Sequence, residues 1–113
     1  MAGTLFDAFL VQGVVVGGAT TTHTAIRALE VYDATVFATA ANGGASIKVA
    51  SATGDITDTI ACGTDKAVDR ADTINATHKL VGAGTNLSFI GASGADGVAT
   101  AHCFVTGSGT PLA

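Results

Sequence analysis

Charged residues are scarce in this chain of 113 residues: they make up 12% of the sequence, about half the usual share of roughly 25%. A small domain has a large surface for its volume, and Lys, Glu, Asp and Arg normally cover most of it. Here Ala, Gly, Thr and Ser have to cover much of it instead. Such a weakly charged surface favours burial against neighbouring chains.

Basic residues are the scarcer charged class, with five Lys and Arg against nine Asp and Glu, and the net charge is −4. The five are scattered and form no basic stripe with interleaved aromatic residues; they are Arg27, Lys48, Lys66, Arg70 and Lys79. This pattern argues against binding to nucleic-acid phosphates, and an acidic surface disfavours anionic membranes. We therefore expect neither nucleic acid nor a membrane as a partner.

The sequence lacks a long apolar run and a basic leader. The apolar stretch from Leu5 to Val16 is interrupted by Asp7 and Gln12 and is too short for a transmembrane helix. It is also a poor signal peptide, because no charged n-region precedes it. We therefore expect synthesis in the cytoplasm. In that reducing compartment Cys62 and Cys103 are expected to be free, buried thiols.

Patterns that carry chemistry are missing as well. No two of His23, His78 and His102 are close in sequence and no C-x-x-C pair occurs, so a zinc site is not expected. The aspartates between residues 55 and 72 lack the spacing of a calcium loop. The glycine-containing segments 82–85 and 91–94 match neither a phosphate loop nor a nucleophile elbow. The sequence predicts no enzyme, no catalytic residue, no metal and no cofactor.

Glycine is abundant, with fifteen residues against one proline, and it separates short runs rich in Val, Ile, Thr and Phe. Short runs of high β-propensity bounded by turn residues are typical of a sandwich or barrel. We predict an all-β fold: a compact β-sandwich or jelly-roll-like domain over residues 25–113, with at most one short helix. Residues 1–24 are predicted to form an N-terminal arm or a first strand.

Several segments predict individual strands. Residues 24–31 form one candidate strand, and residues 35–51 form a candidate hairpin around the turn residues 41–44. Leu87 and Phe89 alternate with Ser88 in a half-buried strand. The last strand, residues 98–106, is fairly apolar on both faces, which indicates a central strand or a subunit contact. Residues 55–62 and 67–76 fit either a helix or extended structure.

The order of these segments resembles that of decoration, or cement, proteins of tailed bacteriophage heads. The resemblance covers about residues 26–106 and is carried by four segments followed by the last strand: Ser46-Ile47-Lys48-Val49-Ala50, Asp55-Ile56-Thr57-Asp58-Thr59-Ile60-Ala61, Val68-Asp69-Arg70-Ala71 and Leu80-Val81-Gly82-Ala83-Gly84-Thr85-Asn86-Leu87. The resemblance lies in the general character and the order of these segments, and it includes no invariant chemical motif.

This resemblance implies a structural virion protein on the outer capsid surface that bridges major capsid proteins. Such proteins commonly form homotrimers and carry no catalytic residue. From the residues we add a hypothesis that the segment from Leu5 to Val16 contacts the capsid or a neighbouring copy, because its apolar side chains would otherwise need internal cover. The candidate assembly contacts are Leu5, Phe6, Phe9, Val14, Val15 and Val16.

Two other interpretations stay open. Another virion component, such as a tail-tube or fibre domain, would form rings or elongated trimers. A ligand- or sugar-binding β module would need exposed aromatic rings. The chain has no Trp and a single Tyr, Tyr32, which would hardly supply a sugar platform alone.

Overall fold

The computed structural model describes residues 3–4, 8–106 and 111–112. Every regular element in these ranges is a β-strand, so the predicted all-β fold is confirmed and the short helix considered near residue 55 is not found there. The strands are β1 Gly3–Thr4, β2 Ala8–Val15, β3 Thr20–Thr24, β4 Leu29–Ala38, β5 Ser46–Ser51, β6 Gly54–Asp55, β7 Ile60–Ala61, β8 Val68–Arg70, β9 Leu80–Val81, β10 Asn86–Ala92, β11 Gly97–Val105 and β12 Pro111–Leu112.

Two antiparallel sheets face each other and enclose the core. The first sheet has the order β2-β11-β4-β8, and β9 also pairs with β4. The second sheet has the order β3-β10-β5-β6, and β7 also pairs with β5. The short strands β1 and β12 pair separately with each other. This arrangement is consistent with a β-sandwich.

The core follows from alternation along the long strands, because successive side chains of a strand point to opposite faces. On β11, Ala99, Ala101 and Cys103 are fully buried. On β10 the buried side chains are Leu87 and Phe89, and on β5 they include Ile47 and Val49, as the alternation predicts. The last strand also lies centrally, as expected, because β11 pairs with β2 on one side and β4 on the other.

The predicted hairpin over residues 35–51 is wrong. Its two strands exist, but β4 belongs to the first sheet and β5 to the second. The turn between them is present, since the Ala45 N–H donates to the Asn42 carbonyl at 3.0 Å. Both strands have one strongly apolar face, and these faces pack across the core instead of the strands lying side by side. The intervening loop therefore crosses from one sheet to the other.

The single strand predicted for residues 24–31 is also wrong. The chain leaves the second sheet after Thr24 and enters the first at Leu29. Between them, the Ala25 N–H donates to the Thr85 carbonyl at 2.8 Å, and the Gly84 N–H donates to the Ala25 carbonyl at 2.6 Å. The first bond extends the β3–β10 register by one residue. The ladder ends there, because the Thr85 N–H donates to the Gly82 carbonyl at 3.0 Å and Gly84 occupies the Ala25 carbonyl in its place.

The N-terminal segment 1–24 contributes two strands to the sandwich within its described part. Strand β2 pairs with β11 along all eight of its residues, and β3 pairs with β10. Residues 1, 2 and 5–7 lie outside the described residues. Residues 55–76, left open between helix and extended structure, contain the short strands β7 and β8, and an isolated bridge joins Thr57 to Ile74.

Candidate functional site

The outer faces of the two sheets differ strongly in polarity. On the second sheet the outward side chains are mostly Thr, Ser, Asn and Lys; they include Thr20, Thr22, Ser46, Lys48, Asn86 and Ser88. On the first sheet the outward side chains include most of the large exposed apolar residues of the described chain. These are Leu10, Val14, Tyr32, Phe37, Val68 and Leu80, and Val16 follows directly after β2. We call this outer surface of the first sheet the apolar face.

One apolar row crosses the whole apolar face. The strand register places Val14 opposite Val98, Val98 opposite Phe37, and Phe37 opposite Val68. Directly paired residues point to the same face, with Cβ atoms about 4.5–5.5 Å apart. Val14 and Val68, at the two ends of the row, are 61% and 65% exposed. The row is therefore a continuous apolar strip across four strands.

A β-bulge supplies a second patch on the apolar face. The pairing of β4 with β11 shifts between His102 and Cys103. At this shift the consecutive residues Tyr32 and Asp33 on β4 both stay outside the buried core, as a bulge allows. The Tyr32 ring stacks on Phe104 with centroids 5.8 Å apart and meets His102 edge-on at 6.1 Å. Tertiary structure thus gives Tyr32 ring neighbours that the sequence did not reveal.

Two ion pairs lie on the apolar face. Arg70 Nε lies 2.8 Å from Asp33 Oδ2, and Lys79 Nζ lies 3.4 Å from Glu30 Oε2. The hydrogen bond to Asp33 and its negative charge raise the pKa of the Arg70 guanidinium above its ordinary value. Each of these four groups therefore has a local partner of opposite sign.

The structure divides the predicted assembly contacts. Val14 and Val16 are exposed, whereas Val15 is fully buried in this chain's own core. Phe9 is partly buried and packs against the core. Leu5 and Phe6 lie outside the described residues. The Val15 side chain is thus already taken up by the fold.

Sequence reasoning missed Leu10, Tyr32, Phe37, Val68 and Leu80 on this face. A signal existed for Leu10, because it alternates with Phe9 and Val11 and shares a strand face with Val14. No local signal could have brought Val68 and Leu80 to this face, since each reaches it through a long-range pairing with β4.

The free edge of β2 is partly closed by side chains from β3. Thr21 Oγ1 donates to the Val14 carbonyl at 2.6 Å, and His23 Nε2 lies 2.8 Å from the Gln12 carbonyl. Exposed strand edges invite pairing with another chain, and proteins commonly block them. These two contacts occupy backbone acceptors that an added strand would use.

A cavity of about 310 Å³ opens at one end of the sandwich. Its lining is mainly apolar and includes Phe9, Val11, Ala25, Leu29, Leu87 and Val105, together with His23, Ile26 and Arg27. This volume is about twice that of an engineered apolar cavity that binds benzene. The cavity could therefore hold a small apolar group.

The polar chemistry of the described part of the chain is modest. Cys62 and Cys103 are free and buried; burial raises the pKa of the Cys103 thiol to about 12, and burial, followed by the charge of Asp96, raises the pKa of Cys62. High thiol pKa values disfavour the nucleophilic thiolate. Among the described residues, no group of three or more His, Cys, Asp and Glu could hold a metal ion, and no buried side-chain polar atom lacks a hydrogen-bond partner.

The side chains of His78 and Cys62 each have a hydrogen-bond partner within the chain. His78 Nδ1 lies 2.9 Å from Thr53 Oγ1, and Cys62 Sγ donates to the Asp96 carbonyl at 3.3 Å.

Across residues 3–4, 8–106 and 111–112 no helix has the length and apolar character needed to cross a membrane. Comparisons of the chain with protein-family models, curated proteins and solved structures found no match.

Proposed function

We propose that this chain is a structural virion protein that decorates and stabilises a bacteriophage capsid by bridging major capsid proteins. It acts by binding other protein chains and not by catalysis. Its partners are the major capsid protein and further copies of itself, with a homotrimer as the expected oligomer. Its location is the outer capsid surface, after synthesis in the host cytoplasm. The resemblance to cement proteins supplies the particular virion role.

The observation that carries an assembly role is the contrast between the polar second sheet and the apolar face of the first. Burying a Val, Leu or Phe side chain fully contributes roughly 1.5–3 kcal/mol. Six such side chains on the apolar face (Leu10, Val14, Val16, Phe37, Val68 and Leu80) are 41–66% exposed. Covering them offers several kcal/mol before the costs of association. Exposed apolar patches of this kind are common at protein–protein contacts, and this supports an assembly role.

Weak individual contacts are sufficient for a capsid clamp. A trimer that engages several capsid subunits binds the second and third site at a high effective concentration. Low surface charge keeps long-range repulsion between neighbours small. These properties favour a protein that binds a repetitive surface over one that recognises a single partner.

The test is a binding assay on capsids of the phage that encodes the chain, prepared without this protein. We expect a discrete trimer near three times 11.0 kDa by light scattering, and co-sedimentation with the capsids at a saturable ratio. Absence of capsid binding at all accessible concentrations would overturn the proposal. If the protein instead forms rings or elongated fibres in electron micrographs, the tail-tube or fibre alternative replaces it.

The apolar cavity at the sandwich end favours a second candidate, a ligand-binding β module. A small apolar molecule would contact Phe9, Val11 and Leu87, with Arg27 at the lining available to a negatively charged group. Calorimetry with short-chain fatty acids tests this candidate directly. A filling substitution, Ala25→Leu, would abolish binding at this cavity, whereas Ala83→Leu on the exposed 82–84 loop would leave it unchanged. No measurable heat with any of these ligands would remove the candidate.

A further inference from the structure

The apolar face is the surface of this molecule whose exposed apolar side chains most favour contact with a partner. We infer that it is the surface through which copies of this chain bind one another, and that the capsid contacts other surfaces of the assembled oligomer. The inference deepens the proposed function and rests on it for the role of the oligomer. It commits the apolar face to one occupant, namely another copy of the same chain.

Charge is the first argument for a self-contact. The whole chain has a net charge of −4, yet the ion-paired groups on the apolar face are two acids and two bases. These four groups cancel one another and add no net charge to the face. Two copies that approach through this face avoid the like-charge repulsion that other orientations incur. A strongly basic or acidic partner would gain nothing from a locally neutral face.

Area is the second argument. Strands lie about 4.8 Å apart and rise about 3.4 Å per residue, so the three long strands and the short edge strands of the first sheet span roughly 500 Å². Contact between two such faces buries roughly 1,000 Å² in total, which reaches the lower size of a specific interface. The apolar row from Val14 to Val68 crosses this area from one edge strand to the other.

The mode of contact follows from the blocked edge of β2. Because Thr21 and His23 already engage the carbonyls of Val14 and Gln12, strand addition at this edge would have to break existing contacts. Face-to-face packing keeps them intact. Sheets pack about 10 Å apart through interdigitated side chains, so two copies that pair through this face are related by a two-fold axis.

The test introduces two carboxylates at the ends of the apolar row, in the variant Val14→Glu with Val68→Glu. Both side chains are more than 60% exposed, so the fold should tolerate the change. The matched control, Thr20→Glu with Asn86→Glu, adds the same charge to exposed positions on the outer face of the second sheet. Circular dichroism and thermal unfolding confirm that each variant is folded, and Val14→Ser with Val68→Ser is a milder substitute if the first variant is not.

Light scattering and sedimentation over a concentration series measure self-association. We expect the apparent dissociation constant to rise at least tenfold for the Val14 and Val68 variant and to change less than twofold for the control. Unchanged association of the Val14 and Val68 variant, or a wild-type protein that stays monomeric at millimolar concentration, would overturn the inference.

Capsid co-sedimentation separates this inference from the proposed function. If the Val14 and Val68 variant associates normally but no longer binds capsids, the apolar face is the capsid contact, so this inference fails and the proposed function stands. If the wild type associates through the apolar face but never binds capsids, the proposed function fails and the self-contact stands.

Discussion

Substituting Gly13 by Ala would test how the two sheets pack across the core. A Cβ at Gly13 on β2 would lie 2.3 Å from Phe89 Cδ2 and 2.8 Å from Cγ, whereas carbon atoms in contact prefer about 3.5–4.0 Å. Phe89 is fully buried on β10 of the opposite sheet, and its ring also meets His23 edge-on at 6.0 Å. The ring therefore cannot move aside without disturbing its other neighbours.

The expected magnitude combines two opposing effects. Overpacking a close-packed core costs typically about 1–3 kcal/mol. Replacing Gly by Ala recovers about 0.5–1 kcal/mol of backbone entropy. We expect Gly13→Ala to lower the free energy of unfolding by a net value of about 1 kcal/mol or somewhat more. Gly43→Ala is the control, because no atom lies within 4 Å of its added Cβ, and it should be neutral or slightly stabilising.

A double-mutant cycle assigns the effect to the Phe89 ring. Phe89→Ala removes Cγ and Cδ2, the ring atoms nearest to Gly13, so Gly13→Ala should cost less in that background than in the wild type, with a coupling energy of about 0.5–3 kcal/mol. The assay is urea unfolding followed by circular dichroism at one fixed protein concentration, because self-association also contributes to apparent stability. The reasoning is refuted if Gly13→Ala unfolds at the same urea concentration as Gly43→Ala, or if the coupling energy is zero.

Two further predictions concern buried polar groups. Thr57 is buried, and its Oγ1 accepts from the Val49 N–H at 3.0 Å and donates to the Asp58 carbonyl at 2.7 Å. Thr57→Val should therefore lower the free energy of unfolding in urea by about 1–3 kcal/mol. Thr57→Ser, which keeps the hydroxyl, should lower it clearly less. The pKa of the Cys103 thiol is raised from 9.0 to about 12 in the folded chain. As the pH rises, this thiol therefore ionises in the unfolded state before it ionises in the folded state. The stability that is present below pH 9 should accordingly fall as the pH rises toward 12. Cys103→Ala should reduce this loss of stability at alkaline pH. The thiols of the native protein should also react with a disulfide reagent at pH 8 far more slowly than those of the unfolded protein. Equal reaction rates would show that these thiols are accessible.

The sequence alone predicted the fold class and the sidedness of its long strands. Alternation has a period of two residues and is a local property, so the buried positions of β5 and β10 could be predicted from neighbouring residues. For β11, whose two faces are both fairly apolar, the sequence predicted a central strand or a subunit contact but not which face is buried. Glycine-bounded runs of high β-propensity likewise indicated an all-β domain. The candidate assembly contacts Val14, Val15 and Val16 were likewise chosen from neighbouring residues alone. The structure leaves Val14 and Val16 exposed but places Val15 in the core.

Strand partners and the apolar face were decided by tertiary structure. Strands β4 and β5 are close in sequence and joined by the expected turn, yet they pack across the core from opposite sheets. Val68 and Leu80 reach the apolar face only through pairing with β4, and the bulge alone sets Tyr32 beside Asp33 on one surface. Residue type and alternation determine which side of a strand is apolar. The pairing of distant strands, which depends on how all the apolar faces can be buried together, determines whether that side is covered by the chain itself or left for a partner.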